Sequence, residues 1–277
     1  MNAPADPRNP QARQMADESM VRTLAAQAEA IWPQERPLLE RYGLGPGSRV
    51  LDAGCGTGEF AARVAALEAG VHVTGVDLIE ASLETARQRH PALAARLDFV
   101  QGDAFHLAFP DCSFDLVACR HVTQAVPAPE RLLAELVRVA RPGGWVHVLS
   151  EDYAMLHMMS GPLDPDVLWR EGPVNYTGRT GTDARIGRKT WSLLRRLGLE
   201  ELRVDYAIVD TLRVSREVFA QILVAWRDGY AQALAEHSHL SLAQFQAHFD
   251  QVIASVRNPD DYAVWFVPVV SGRRPGR

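Results

Sequence analysis

The chain has 277 residues, 47% hydrophobic and 23% charged, enough apolar material to bury one large α/β core or a core with a cap. A formal net charge of −5 argues against nucleic acid or an anionic membrane surface as a partner. Cys55, Cys112 and Cys119 lack metal-ligand spacing and fit a reduced, cytoplasmic setting; no apolar signal core opens the sequence, and no run nears the roughly 18 apolar residues of a membrane span.

Residues 1–16, with three prolines, read as an unfolded leader. Residues 20–32 are alanine-rich with apolar positions at helical spacing, limited by Pro33, and a second short helix is expected at 37–42; Gln27, Trp32 and Tyr42 of this 17–44 arm are candidates for a lid. A short apolar strand at 49–53 then meets Gly54, Gly56 and Gly58, followed by a helix with Phe60, Val64 and Leu67 on one face. Glycine at alternate positions permits positive φ and brings backbone amides close to a ligand beside a helix N-terminus, where anionic groups are favoured.

A second strand at 71–76 ends in Asp77, about twenty residues past the last glycine, where a carboxylate can accept from ribose hydroxyls or cap the next helix. A helix at 79–89 stops before Pro91, and a third apolar run at 97–101 ends in Gly102-Asp103-Ala104-Phe105. Residues 114–119 form a nearly continuous apolar strand, 129–140 a helix closed by Pro142-Gly143-Gly144, and 145–150 a fifth strand. Such alternation implies a parallel sheet with right-handed crossovers and a ligand at the carboxyl ends of its strands.

From 151 to 187 periodicity fades, which marks a long loop or irregular cap of the kind that carries function. A basic helix is expected at 186–197, an alternating strand at 202–210, amphipathic helices at 214–236 and 241–257, a last strand at 262–270, and a solvated tail from Gly272.

Asp52-Ala53-Gly54-Cys55-Gly56-Thr57-Gly58, Val76-Asp77, Gly102-Asp103-Ala104, Phe114-Asp115-Leu116-Val117 and Arg141-Pro142-Gly143-Gly144, in that order, resemble the motifs of class I S-adenosylmethionine-dependent methyltransferases over residues 45–151. Arg120-His121-Val122-Thr123-Gln124 is similar to an Arg-x-Val-x-Gln stretch of the type 11, small-molecule group. The resemblance implies an α/β fold: a Rossmann-like, seven-stranded, mostly parallel sheet with helices on both faces and a mainly helical cap. The core would span 45–151, the cap loop 152–187, and the rest of the core 188–271, with helices 214–257 inserted and a tail at 272–277. It implies S-adenosylmethionine as cofactor, with the glycine turn (Gly54, Cys55, Gly56, Gly58, organised by Asp52) at its methionine part, Asp77 at the ribose and Asp103 at the adenine amino group; Leu78, Ala104 and Phe105 are further cofactor-binding candidates. Arg120 completes the set, paired with the cofactor carboxylate or a nearby acid; no metal is implied.

Methyl transfer asks the protein for alignment, water exclusion and management of one proton. His121, after the fourth strand, and Glu151, Asp152 and Tyr153, after the fifth, are the catalytic candidates. Their bland alternatives are packing beneath Val122, solvated loop positions and helix caps. His157, Trp169 and Tyr176 are weaker substrate candidates, and Trp32, Tyr153, Trp169, Tyr176, Phe219, Trp226 and Tyr230 would supply an apolar pocket. The expected acceptor is a small molecule methylated at oxygen or nitrogen ahead of carbon. Two alternatives are an inactive S-adenosylmethionine-binding protein and, far behind, a nicotinamide oxidoreductase, whose third glycine would fall at Glu59.

Overall fold

In the computed structural model, which describes residues 10–15, 17–67 and 70–276, five parallel strands lie side by side. They are β1 (Arg49–Ala53), β2 (His72–Asp77), β3 (Leu97–Gln101), β4 (Phe114–Arg120) and β5 (Ala140–Leu149), in the order β3-β2-β1-β4-β5. β6 (Leu156–Met158), β7 (Glu200–Asp210) and β8 (Ala263–Arg273) complete an eight-stranded sheet. β8 runs antiparallel to β5, to β6 further along the same flank, and to β7 on the other, so Trp265 faces both Leu156 and Val209. The expectation was seven strands; the eighth, β6, has three residues, too few to show an alternating pattern.

β1 and β4 are buried almost throughout, which is why they read as unbroken apolar runs. One face carries α3 (Glu59–Leu67), where Phe60, Ala61, Val64 and Ala65 pack on Val50, Val73 and Leu116. The other carries α5 (Pro129–Val139) and α8 (Gly187–Arg196), whose Leu132, Leu136 and Leu194 cover Leu51, Val117 and Val146. α4 (Glu80–Arg89) flanks β2 and β3 through Leu83 and Ala86. Each such buried Leu, Val or Phe contributes roughly 1.5–3 kcal/mol.

Over one end of the sheet lie α1 (Ala12–Met15), α2 (Glu18–Leu39), α6 (Pro165–Trp169), α7 (Asn175–Thr180), α9 (Arg216–Glu236) and α10 (Leu242–Arg257), around a core that includes Ile31, Phe219, Phe245, Phe249 and Trp265. α10 opens on a capping box: Gln244 N–H donates to the Ser241 hydroxyl and Ser241 N–H to the Gln244 side chain. Residues 151–187, expected to be irregular, form a 3₁₀ turn at Tyr153–Met155, β6, α6, a π-helical turn at Arg170–Val174 and α7.

Pro33 does not stop the first long helix. α2 starts at an Asp17 cap that accepts from Ser19 N–H and continues through Pro33 and Pro37, followed by a 3₁₀ turn at Glu40–Tyr42. Each proline removes a helical hydrogen bond, but Ile31, Glu35 and Leu39 are buried on the sheet side. Gln34 also pairs with the edge of β7, donating to Ile208 C=O at 2.8 Å and accepting from its N–H at 3.0 Å. Of the stretch read as an unfolded leader, residues 1–9 and 16 lie outside the described residues, whereas 10–15 form a turn and α1. The tail expected to be solvated begins as structure: β8 reaches Arg273, and Arg274 donates to the carbonyls of Val137, Arg138 and Ala140 at the end of α5. Among the described residues no helix is long and apolar enough to cross a membrane.

Candidate functional site

β1 ends where the strand order reverses between β1 and β4, the place at which an open parallel sheet leaves a crevice. Gly54, Gly56 and Gly58 all have positive φ there, 77°, 51° and 78°. A Cβ at Gly54 would lie 2.3 Å from the Val122 side chain and one at Gly56 2.7 Å from Leu24, so both glycines keep the cavity wall low. A Cβ at Gly58 would instead strike Phe99 at 2.5 Å, so this glycine serves helix-to-strand packing and is not among the cavity-lining residues.

The cavity over the carboxyl ends of β1 to β5 holds, with its mouth, about 1090 Å³ free of protein atoms. Asp77, at the end of β2, accepts from Gly56 N–H at 2.8 Å and Ile79 N–H at 2.9 Å. Burial raises its carboxyl pKa and these backbone donors only partly offset that. Asp103, after β3, accepts from Phe105 N–H at 2.9 Å, with His106 at 3.5 Å. Leu78, Ala104, Phe105 and Arg120 line the same space, and Met15, Met20, Leu24 and Gln27 of α1 and α2 roof it.

β4 ends in a kink. His121 is left-handed at φ 56°, a conformation that costs a non-glycine residue roughly 1–2 kcal/mol, while its N–H still pairs with Leu149 C=O at 3.0 Å. Its Nδ1 lies 2.8 Å from Glu151 Oε1, which also accepts from the Gln27 amide at 3.2 Å. A carboxylate accepts, so Nδ1 is the donor in this pair, and in the neutral ring Nε2 is the acceptor nitrogen. That atom is buried without a partner among the described residues, as are Glu151 Oε2 and Gln124 Oε1. Tyr153 stands beside Glu151 in the cavity wall; burial first, and then the Glu151 charge, push its phenol well above the usual value.

Behind the wall is a charged chain that sequence reading missed. Arg120 donates to Glu35 Oε1 at 2.8 Å and lies over the Phe60 ring, His147 Nε2 meets the same oxygen at 2.9 Å, and Tyr42 caps His147 Nδ1 at 2.8 Å. Burial alone would raise the Glu35 carboxyl, but Arg120 and His147 hold it at about 2. Asp52, fully buried, goes the other way: desolvation lifts it to about 7 despite Arg120. Burial and the charges of Asp52 and Asp77 raise the Cys55 thiol too. The available signal for Glu35 was a charged residue in phase with Ile31 and Leu39 on an apolar stripe, a pattern that asks for a buried partner.

Of the sequence-derived candidates, Gly54, Gly56, Asp77, Leu78, Asp103, Ala104, Phe105, Arg120, His121, Glu151 and Tyr153 share the cavity. Asp52, Cys55, Gly58 and Asp152 stand outside its wall. Asp152 is taken up by a two-point pair with Arg188 at 2.6 and 2.8 Å and by the Ala154 N–H it caps, so it faces α8. Of the lid candidates, Gln27 lines the cavity, Trp32 packs on Phe60, and Tyr42 belongs to the buried chain. Phe219 is core, and His157 on β6 meets Phe266 edge to face. Trp226 and Tyr230 of α9 line the cavity. Together with Gln124 and Tyr153 they also bound an adjoining chamber of about 430 Å³ that contains Trp169 and Tyr176.

The donor set suits the cofactor implied by the sequence motifs. Two low-walled glycines make room for an extended chain, Asp77 and Asp103 bring carboxylates to the cavity wall for hydroxyls and an amine, and Arg120 gives a cation for a carboxylate. Residues 51–148 match the family model described as a methyltransferase domain. A sterol 24-C-methyltransferase of Gibberella zeae is 38% identical over 117 residues, 42% of this chain and 30% of that protein. A demethylmenaquinone methyltransferase of Renibacterium salmoninarum is 38% identical over 109 residues, 39% of this chain and 44% of that one. The chain thus matches less than half the length of these relatives. A solved phosphoethanolamine N-methyltransferase 2 of Haemonchus contortus, in complex with S-adenosyl-L-methionine, superimposes with a TM-score of 0.58 at 22% identity, covering 95% of this chain and 60% of that one.

Proposed function

We propose, from the methyltransferase-domain match over residues 51–148, that the chain is a class I S-adenosylmethionine-dependent methyltransferase and that it methylates a small molecule enclosed in the cavity, at oxygen or nitrogen ahead of carbon. Bound S-adenosylmethionine supplies a methyl group on a sulfonium, a carbon already activated for displacement. Asp77 would hold the ribose hydroxyls, Asp103 the adenine amine, the turn at Gly54 and Gly56 the methionine chain, and Arg120 its carboxylate. The free cysteines fit a reduced, cytoplasmic setting.

The observation that carries the reading is the His121–Glu151 pair. Glu151 keeps the imidazole proton on Nδ1, and the buried, unpaired Nε2 is left to take a proton from an acceptor O–H or N–H. The left-handed backbone at His121 is the strain spent on turning the ring out of line with β4. Gln27 adds a hold on Glu151 from the roof, which ties closure over the cavity to the orientation of the base. The two relatives are named for a sterol and for demethylmenaquinone, both bulky and apolar acceptors, and the aromatic wall suits such a class.

Two measurements test this. Calorimetry with S-adenosylhomocysteine should give an affinity that Asp77→Ala lowers about ten- to a hundredfold, the loss of one charge-assisted hydrogen bond. Turnover with labelled S-adenosylmethionine against neutral phenols, amines and enols should fall roughly 10²–10⁴-fold in His121→Asn. Asparagine tolerates the left-handed backbone, so fold and cofactor affinity should persist. Equal turnover in the variant would remove His121 as the base, and cofactor binding with no transfer to any acceptor would leave a binding protein.

A further inference from the structure

We propose that the chamber beside the cavity receives the tail of the acceptor, and that this acceptor is an uncharged aromatic or polyunsaturated molecule with an oxygen that accepts from the Trp169 indole N–H. The proposal rests on the methyl-transfer reading of the adjoining cavity and deepens it.

The chamber is walled by Trp169, Pro173, Tyr176, Thr177, Leu234 and Phe249, and shares Gln11, Gln124, Tyr153, Trp226 and Tyr230 with the cavity. Its rings meet edge to face: Trp169 with Trp226 at 6.3 Å and 85°, Trp169 with Phe249 at 6.3 Å and 88°, Tyr176 with Tyr230 at 6.3 Å and 82°. Such a frame favours a flat, unsaturated guest. None of the lining residues is Asp, Glu, Lys, Arg or His, so a charged tail would lose its hydration with no counter-ion in return.

Two polar atoms give the space a direction. Trp169 is 4% exposed, and its Nε1 is a buried donor with no partner among the described residues. The Gln124 side-chain oxygen, at the boundary with the cavity, is a buried acceptor in the same condition. The Thr177 hydroxyl is already committed to Pro173 C=O at 2.8 Å, and the Tyr230 hydroxyl donates to Gln11 Oε1 at 3.2 Å, whereas the Trp169 N–H has no such commitment among the described residues. Buried polar groups of this kind are normally satisfied. A guest with an acceptor oxygen in the chamber and an O–H or N–H near Gln124 satisfies both, and presents that O–H or N–H on the side of His121.

The probes are 2-acetylnaphthalene, 2-ethylnaphthalene and 2-naphthoate, titrated by tryptophan fluorescence and calorimetry with and without saturating S-adenosylhomocysteine. The ketone should bind about tenfold more tightly than the hydrocarbon, and the carboxylate at least a hundredfold more weakly than the ketone. Trp169→Phe should abolish the difference between the two neutral probes, both of which lose the same indole contact. Leu234→Trp, which fills the chamber, should weaken both neutral probes at unchanged S-adenosylhomocysteine affinity. Naphthoate binding as tightly as the ketone, a ketone preference that survives Trp169→Phe, or neutral binding that survives Leu234→Trp would each overturn the proposal. Should Leu234→Trp fail to fold, the Trp169→Phe comparison decides alone. Naphthalene binding as described in a protein that does not bind S-adenosylhomocysteine would remove the methyl-transfer reading and leave the chamber assignment standing.

Discussion

Arg120 acts on two buried carboxyls with opposite outcomes. Glu35, which it touches, is held at about 2, while Asp52, where burial outweighs attraction, rises to about 7. Glu35 therefore stabilises the fold above its ordinary pKa near 4.5, and that contribution is lost as pH falls toward 2. Asp52 keeps its proton in the fold between 3.8 and about 7 while the unfolded chain has released it, so stability falls as pH rises through that window, by about 1.4 kcal/mol per unit. Urea unfolding without ligand should give a protein roughly 3 kcal/mol less stable at pH 8 than at pH 5, and Asp52→Asn should flatten that slope. An unchanged slope in the variant would assign it to other groups. The acids at or just after strand ends that line the cavity, Asp77 and Asp103, were legible because a polar residue ending an apolar run has few structural reasons to be there; Asp52 stands outside that wall. Glu35 and His147 were not legible, since each matters through a partner far away in sequence.

At the scale of elements, the strands and helices of residues 49–139 could be placed to within a residue or so, because their apolar periods are long and glycine or proline marks their ends; β5, expected at 145–150, instead opens at Ala140 and runs through Pro142-Gly143-Gly144, the expected break. Residues 151–187 could not be placed. Their helical pieces are one or two turns long, and they are ordered by contacts with α9, α10 and β8, not by propensity of their own. α2 was misread for the opposite reason: a strong local breaker, Pro33, lost to burial and to the Gln34 pairing. The N-terminal half of α2 roofs the cavity, and Arg22 pins it to α9 through Asp228 at 3.1 Å. Trypsin cleavage after Arg22 requires that half to open, so S-adenosylhomocysteine at a hundred times its dissociation constant should slow it roughly a hundredfold if opening releases the ligand. Cleavage at an unchanged rate would mean that the roof moves independently of the site.

For the whole molecule, the parallel sheet and its crevice follow from strand order alone, whereas the cavity and its adjoining chamber are closed by segments far apart in sequence: α1 and α2, the 151–187 stretch and α9. Two amides of α2 link those parts. Gln27 reaches Glu151 at the base of the cavity, and Gln34 closes the open edge of β7 at Ile208. They stand two helical turns apart, out of phase by only about 20°, and so share a face. A single residue added or lost between them would rotate one amide about 100° away from its partner. Any change of length there would either release the Glu151 carboxylate or bare a strand edge to pairing with another chain. Length can vary before Asp17 or between Gly43 and Ser48 without turning either amide, so α2 keeps the phase between sheet edge and active site.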